Sequence, residues 1–439
     1  MSGVAIMLSA VMLQAAPPPS APASRVLTLE QATATAIANQ PQLRQAHAQT
    51  EASLARADEG RAPLFPQVAA SATYQRATAN FAPRPGSVPT SQISSASQRS
   101  SFDTFDYWNF GISANQLIYD FGQTTGRWRA AQANAEGQQQ TERSTRLSTL
   151  LNVRTAYFQA RAQKAMMQVA RETLANQDRH LEQIKGFVEL GARPAIDLAQ
   201  ARTDVANAKV QLINAENAYA TAKAQLNQAM GAPQTTDYEV ADDALPALAE
   251  EDQGIEPLVQ SAIGARPELV ALSKQVQAQE QLVRSARANY GPTLGASTAF
   301  TEAGRQLNDL RWNWNASITL SWPLFQGMLV PAQVREAEAN LSATKAQRQA
   351  IEQQLRLEVE QARIAVRGAK ASIAAVDEAL TNSRQRLRLA EGRYQTGAGS
   401  VIELADAQVA AANAATQRVA ADYNLASARA QLMKALGRE

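Results

Sequence analysis

The sequence has no cysteine, which excludes disulfide bonds, thiolate metal sites and a lipid-modified amino-terminal cysteine. Only two histidines are present, His47 and His180, and we expect each to lie on a solvated helix face rather than to bind a metal. The formal net charge is +2 and no basic run occurs, so nucleic acid is not an expected partner. We therefore expect no metal, no cofactor and no nucleic acid.

Sequence signatures of catalysis are missing as well. The chain has no nucleophile elbow, no glycine-rich phosphate loop and no HExxH motif, and we predict that it is not an enzyme. Aromatic residues make up only 5% of the chain, although 45% of it is hydrophobic. This composition is typical of thin, alanine-rich helical bundles rather than of thick globular cores.

A transmembrane helix is not expected, because no apolar run reaches the length that a bilayer requires. The ten-residue, largely apolar run at 4–13 is followed by a proline-rich stretch and by Ala21-Pro22-Ala23. Together they resemble the core and cleavage site of a signal peptide over residues 1–23. A disordered tail is the alternative, since no Lys or Arg precedes Arg25.

Proline is missing after Pro331, so the rest of the chain can run helical with little to break it. Apolar residues recur there at spacings of three and four, which is the pattern of a coiled-coil seam. A glycine-containing turn at residues 396–400 divides the segment into two arms. These features predict a long antiparallel helical hairpin over residues 327–436.

The same helical hairpin is predicted a second time, over residues 123–230. Residues 116–231 align with residues 322–437 without a gap. A repeat of this length indicates a duplicated fold rather than a solenoid of short units. We place the first repeat at residues 24–231 and the second at residues 255–439.

Each repeat begins with a predicted helix, at residues 29–61 and at residues 256–289. Between the repeats, residues 232–254 carry seven acidic residues and no basic residue. We interpret this segment as a solvated acidic connector rather than as a functional site.

Each repeat also contains a predicted strand hairpin, at residues 66–120 and at residues 292–324, and the first includes a long polar loop at residues 80–101. The last strand alternates apolar residues with uncharged Asn, Ser and Thr, which is typical of a transmembrane barrel strand. The side chains assigned to the lipid-facing surface are Trp108, Phe110, Trp312, Trp314 and Trp322.

Four strands cannot close a barrel, and an open edge is not tolerated in lipid, so several copies must pool their strands. The predicted fold class is therefore mainly α with a small β part. It consists of duplicated coiled-coil hairpins that form a periplasmic barrel, together with four strands per chain contributed to a shared transmembrane β-barrel.

This order of elements resembles the TolC family of outer-membrane channel proteins over about residues 26–437. The local marks are Leu64-Phe65-Pro66-Gln67, Ile118-Tyr119-Asp120-Phe121-Gly122, Leu324-Phe325-Gln326-Gly327, and the helix turns at residues 191–198 and 397–404. The resemblance implies a homotrimer in the cell outer membrane, surrounded by lipid and with a long periplasmic extension. It also implies a periplasmic membrane-fusion adaptor and an inner-membrane transporter as partners, for efflux of small molecules or for type I protein secretion.

The resemblance further implies a gate at the helix turns. Acidic residues that narrow the periplasmic mouth in the family correspond to Glu403 and Asp406, and an acid that takes part in gating corresponds to Asp197. In a simpler interpretation, these acids are favoured where a helix begins because the helix dipole is positive there. The two interpretations are compatible.

A gating tyrosine of the family corresponds to Tyr394. The family also has an arginine that ties the gate shut, but Gly399 occupies its position in this chain. Arg193 in the other helix turn is a candidate substitute.

A periplasmic coiled-coil adaptor without a membrane barrel is the alternative function, because adaptors also have long helical hairpins. The four alternating strands with tryptophans argue against it, since an adaptor has no reason to present aromatic side chains to lipid. The sequence does not identify the cargo, because a wide water-filled tunnel need not recognise what passes through it.

Overall fold

The computed structural model of the chain describes residues 25–78, 102–233 and 237–439, and helices predominate within them. The helices are α1 (Leu29–Asn39), α2 (Pro41–Arg61), α3 (Gln123–Glu189), α4 (Ala195–Met230), α5 (Ile255–Ala265), α6 (Pro267–Ala288), α7 (Leu329–Gln395) and α8 (Val401–Ala435). The strands are β1 (Arg25–Leu27), β2 (Gln67–Thr78), β3 (Thr104–Tyr119), β4 (Tyr238–Val240), β5 (Thr293–Gly304) and β6 (Arg311–Ser321). The predicted signal peptide and the predicted loop at residues 80–101 lie outside the described residues.

The longest elements are α3 and α7, with 67 residues each. At about 1.5 Å of rise per residue, each extends over roughly 100 Å. Seam positions predicted from the 3–4 spacing are buried, including Val153, Ile184, Val359, Val366 and Leu432. The predicted fold class is confirmed. Among the described residues, no helix has a segment that is both long and apolar enough to cross a bilayer.

The helix predicted at residues 29–61 is in fact two helices, because the chain becomes extended at Gln40. This residue has ψ 119°, the conformation that a following proline favours, and Pro41 begins the next helix. Arg266, with ψ 118°, divides the predicted helix at residues 256–289 in the same way. The prediction of a single helix is therefore wrong in both repeats.

Two compact units make up the chain, and each contains segments of both sequence repeats. The first unit comprises the described residues up to Asn39, Val153–Leu245 and Val376–Tyr423, and the second comprises Gln40–Asn152, Pro246–Ala375 and Asn424–Glu439. In the first unit, Ile184 of α3 and Leu404 of α8 share one apolar cluster, so helices of the two repeats pack together there.

The second unit contains an antiparallel sheet in the order β2-β3-β5-β6. The two strands of each repeat form a hairpin, and β3 pairs with β5 to join the hairpins. The outer strands β2 and β6 have no strand beyond them within the described residues. The sheet is therefore open at both edges.

One face of this sheet is apolar and the other is polar, because partners across a ladder lie on the same face. An apolar row runs through Ala70, Ile112, Phe300 and Trp314 across all four strands. The adjacent row runs through Ser71, Gly111, Thr301 and Asn313 on the opposite face. The alternation seen in the sequence thus continues across all four strands in these two rows, whereas Glu302 lies between Phe110 and Trp312 in the next row of the apolar side.

A buried carboxylate stabilises the joint between β3 and α3. Asp120 accepts hydrogen bonds from the backbone N–H groups two and four residues later, at 3.1 and 2.6 Å. Phe121 and Gly122 have left-handed φ values of 56° and 96° and turn the chain from strand to helix. Gly327 and Met328 adopt the same pair of conformations before α7.

The acidic connector is not simply solvated. In the first unit, its strand β4 pairs in parallel with β1. The buried Tyr157 hydroxyl donates towards the connector, 3.0 Å from Asp243 Oδ2, and Lys164 Nζ donates to the Val240 carbonyl oxygen at 2.8 Å. Asp243 also accepts a hydrogen bond from the Leu29 N–H at 2.8 Å. These contacts fix the connector to α3 and to the first segment of the chain.

In the second unit, the connector contributes a buried carboxylate that the sequence did not reveal. The Glu251 side chain is 1% exposed and lies 2.6 Å from Lys370 Nζ and 2.7 Å from Arg429 Nε. Burial opposes its ionisation, but Lys370 and Arg429 hold the pKa of Glu251 below its usual value. The contribution of this cluster to stability is therefore present above about pH 4.5 and declines as the pH falls below that value.

Removing the buried carboxylate tests the role of this cluster. We expect Glu251→Ala to lower the free energy of unfolding by about 3 kcal/mol, the low end for a buried ion pair because Lys370 is partly exposed. Asp252 contacts the same lysine but is 85% exposed, and Asp252→Ala should change stability by less than about 0.5 kcal/mol. Urea unfolding of the purified protein, followed by helical circular dichroism, measures both. Equal losses in the two variants would contradict this role.

Candidate functional site

The end of α3 is a tight turn built around a left-handed glycine. Gly191 has φ 70°, and its N–H donates to the Val188 carbonyl at 3.0 Å while the Ala192 N–H donates to the Phe187 carbonyl at 2.9 Å. This pair of hydrogen bonds is the Schellman arrangement, which requires a left-handed residue at that position. The end of α7 has the same arrangement at Gly397, where φ is 80°.

The start of α8 is capped by a side chain. Ser400 Oγ accepts a hydrogen bond from the Glu403 N–H at 3.1 Å, as expected for Ser-x-x-Glu at a helix start. The Glu403 carboxylate accepts a hydrogen bond from Arg393 Nη1 at 2.8 Å. This ion pair connects the last turn of α7 to the first turn of α8, so the Glu403 charge is partly compensated.

Tyr394 lies at the centre of an apolar cluster that joins the two helical hairpins. It is 1% exposed and belongs to the same cluster as Ile184 and Leu404. The Arg193 guanidinium carbon lies 4.7 Å from the centre of the Tyr394 ring, and Arg193 Nη2 donates to the Gly399 carbonyl at 3.4 Å. Arg193 therefore connects the first helix turn to the second.

His180 packs against this cluster, which the sequence did not predict. Its ring centre is 5.2 Å from that of Tyr394, and its Nε2 atom is buried with no hydrogen-bond partner among the described residues. Burial lowers the pKa of His180. The prediction of a solvated helix face is therefore only partly right for His180, which is half-buried because α3 turns this residue towards Tyr394 of α7. His47 lies on an exposed face as predicted.

The structure brings three of the five candidate gate residues close together: Arg193, Asp197 and Tyr394. Burial raises the pKa of Tyr394, the Arg193 charge opposes this rise, and the Asp197 charge adds to it. Glu403 lies in the adjacent turn with its own arginine partner. Asp406 is exposed and makes no ion pair in the part of the chain that the structure describes.

Sequence reasoning missed His180 and Arg393. A signal for Arg393 was available, since a basic residue precedes the glycine turn and an acidic residue follows the Ser400 cap. No comparable signal existed for His180, because its burial depends on contacts with a helix about 200 residues later in the chain.

The residues assigned to the lipid-facing surface lie on the apolar face of the sheet or at its end. Trp312 and Trp314 are 71% and 62% exposed, and Phe110 and Trp322 are also exposed. Trp108 is half-buried because its ring packs against Tyr74 at 4.5 Å between centres. Among the described residues, this apolar surface therefore has no protein neighbour.

An open amphipathic sheet joined to two very long helical hairpins defines a class of protein, the outer-membrane channels with periplasmic helices. A solved membrane protein from Pseudomonas aeruginosa has the same fold, with a TM-score of 0.80, 97% of each chain covered and 21% identity.

The chain belongs to the outer membrane efflux protein family, whose model matches residues 33–232 and 258–438. It is 25% identical to the antibiotic efflux pump outer membrane protein ArpC of Pseudomonas putida over 422 residues, covering 93% of this chain and 82% of that protein. It is 26% identical to the outer membrane protein TolC of Escherichia coli (strain K12) over 423 residues, covering 90% and 79%. The protein is an export duct of the outer membrane with a long periplasmic extension.

Proposed function

We propose that three copies of the chain form one continuous duct. In this duct, the strands of all copies close a single transmembrane barrel and the helical hairpins form a periplasmic tunnel. A periplasmic adaptor and an inner-membrane transporter deliver the cargo, and the chain itself carries out no catalysis. The observation that carries the proposal is the four-stranded sheet, which has an apolar face and two open edges.

Closure by several copies follows from the hydrogen-bonding requirement of backbone in lipid. Each unpaired N–H or carbonyl group at a sheet edge costs several kcal/mol in hydrocarbon. A barrel of four strands is too small to form, whereas twelve strands from three copies enclose a channel. The strands have 11–16 residues, which is enough for tilted strands to cross a bilayer.

The proposed orientation follows from the same elements. Exposed Trp312 and Trp314 lie in lipid, and the opposite face of the sheet, with Asn313 and Asn315, lines a wet lumen. The α3 and α7 helices extend into the periplasm. We also propose that residues 1–23 are a cleaved signal peptide, since this arrangement requires export.

The cargo class is proposed from the relatives. ArpC is named as part of an antibiotic efflux pump, and efflux of small molecules is the function we favour for this chain. Type I protein secretion is the second candidate. A wide lumen lined by uncharged residues favours neither cargo, so selection would take place in the transporter.

The proposed gate lies at the helix turns. Arg193 contacts the Tyr394 ring and donates to the Gly399 carbonyl. In this role it replaces the family arginine that stabilises the closed gate, whose position is occupied here by Gly399. Asp406 from each copy forms a ring of like charges around the mouth, and Glu403 contributes less because Arg393 partly neutralises it. Asp197 contributes to the gate indirectly, because its charge interacts with Tyr394.

A soluble adaptor is disfavoured by the exposed aromatic face. Monomeric soluble proteins rarely expose a contiguous apolar surface of this kind. Ile318 on this face is 74% exposed, in line with the tryptophans of the same strand.

Arginine substitutions on the two faces of β6 test the proposed barrel. Ile318→Arg and Trp314→Arg place a charge in lipid and should destabilise the assembly by about 2–4 kcal/mol where the site is near mid-bilayer. The matched variant Asn315→Arg faces the lumen and should assemble normally. The measurement is the amount of heat-resistant oligomer extracted from outer membranes. Equal yields from both faces would reject the barrel.

Ion selectivity tests the proposed gate. Asp406→Asn should reduce cation preference, measured as the reversal potential in planar bilayers under a salt gradient, because a ring of carboxylates attracts cations. Glu403→Gln should have the smaller effect, since the Glu403 charge is compensated by Arg393. Unchanged selectivity in Asp406→Asn would place the constriction elsewhere.

A further inference from the structure

A small cavity with both polar and apolar lining lies beside His180 in the first unit. Its lining includes Gln177 and His180 of α3, Asp204 of α4, and Leu404 and Gln408 of α8. Gln177 Nε2 donates to Gln408 Oε1 at 3.0 Å, so these two amides satisfy each other. The Nε2 atom of His180 is left buried without a partner.

Neighbouring elements place further charged and titratable groups around the imidazole. The Asp204 charge comes from α4 and the Glu391 charge from α7, and both favour the protonated ring. Tyr394 of α7 lies against the imidazole, and its hydroxyl is also buried without a hydrogen-bond partner. On its own helix, His180 Nδ1 lies 3.3 Å from Gln183 Oε1.

The Tyr394 ring already interacts with one cation, because the Arg193 guanidinium lies 4.7 Å from its centre. A protonated His180 would be a second cation close to the same buried ring. Its new N–H at Nε2 would also need an acceptor that the packed cluster does not provide. Desolvation therefore opposes protonation while the cluster stays packed, and it outweighs the contributions of Gln183, Glu391 and Asp204 that favour the protonated ring.

We propose that His180 is a proton-sensitive positioning residue of the helix turns: the neutral imidazole permits tight packing around Tyr394, and the imidazolium loosens this packing. The inference deepens the proposed gate and rests on it for the link to channel opening. The loosening itself involves only residues of one chain, and it can be measured separately.

The direction of the pH effect follows from burial. The pKa of His180 is lowered in the packed cluster, whereas in a loosened cluster it returns to about 6.5. Packing is therefore fully stable above about pH 6.5 and weakens as the pH falls below that value. Between the two pKa values, the population of the loosened state rises by up to about tenfold per pH unit.

The experiment uses the full-length detergent-solubilised protein, which has no native cysteine. Ala407→Cys places a thiol in the apolar cluster, where the side chain is buried, and Ala398→Cys places a reference thiol at an exposed position in the turn. The ratio of their labelling rates with N-ethylmaleimide corrects for titration of the thiol itself. We expect this ratio to be about three- to tenfold higher at pH 5.5 than at pH 7.5.

Histidine variants in the same background identify the sensor. His180→Gln should remove the pH dependence, whereas His47→Gln, which alters the exposed histidine, should retain it. His180→Lys should label rapidly at both pH values. A ratio that does not change with pH in the parent protein, or a pH dependence that persists in His180→Gln, would overturn the proposal.

A second measurement does not depend on a variant of His180. In the His47→Gln protein, His180 is the only histidine, and its imidazole resonances give its pKa directly by NMR. A pKa at or above about 6.5 would contradict the inference. If labelling depends on His180 but bilayer conductance does not change with pH, the proton switch stands and the proposed gate is wrong. If conductance follows the labelling ratio, both are supported.

Discussion

Backbone N–H and carbonyl groups that lie in lipid must be hydrogen-bonded to other protein groups, because hydrocarbon offers no partner. Within the described residues, the four-stranded sheet satisfies its inner ladders but leaves β2 and β6 with open edges. Water could pair with those edges, whereas hydrocarbon cannot. A chain with this sheet in a membrane must therefore complete it with other copies. In the proposed duct, the apolar face contacts lipid and the polar face lines the channel.

The sequence duplication gives the chain matching strands and matching helices. Two repeats supply two strand hairpins and two long helical hairpins, and α3 and α7 have the same length. The repeats are not identical where they meet at the turns. The first turn provides Arg193 and the second provides Gly399 and Tyr394, so an arginine of one repeat binds a carbonyl and a ring of the other. Because the two turns differ in this way, they make direct contacts with each other that connect the two helical hairpins.

Periodicity in the sequence predicted most of the fold, because period-two and 3–4 patterns record which face of each element is buried. It predicted the seams, the strand faces and the glycine turns. It missed the breaks at Gln40 and Arg266, where backbone sterics before proline outweigh a continuous apolar pattern. It also missed Glu251 and His180, because their burial depends on helices far away in the chain. Three candidate gate residues are adjacent, whereas Asp406 has no partner in the described chain.

Native mass spectrometry of the detergent-extracted protein counts the copies that complete the sheet. We predict a single species with the mass of three chains, with no folded single chain under the mildest detergent. A stable one-copy species that retains the β-sheet signal would contradict it, since the open edges of β2 and β6 would then persist without a partner.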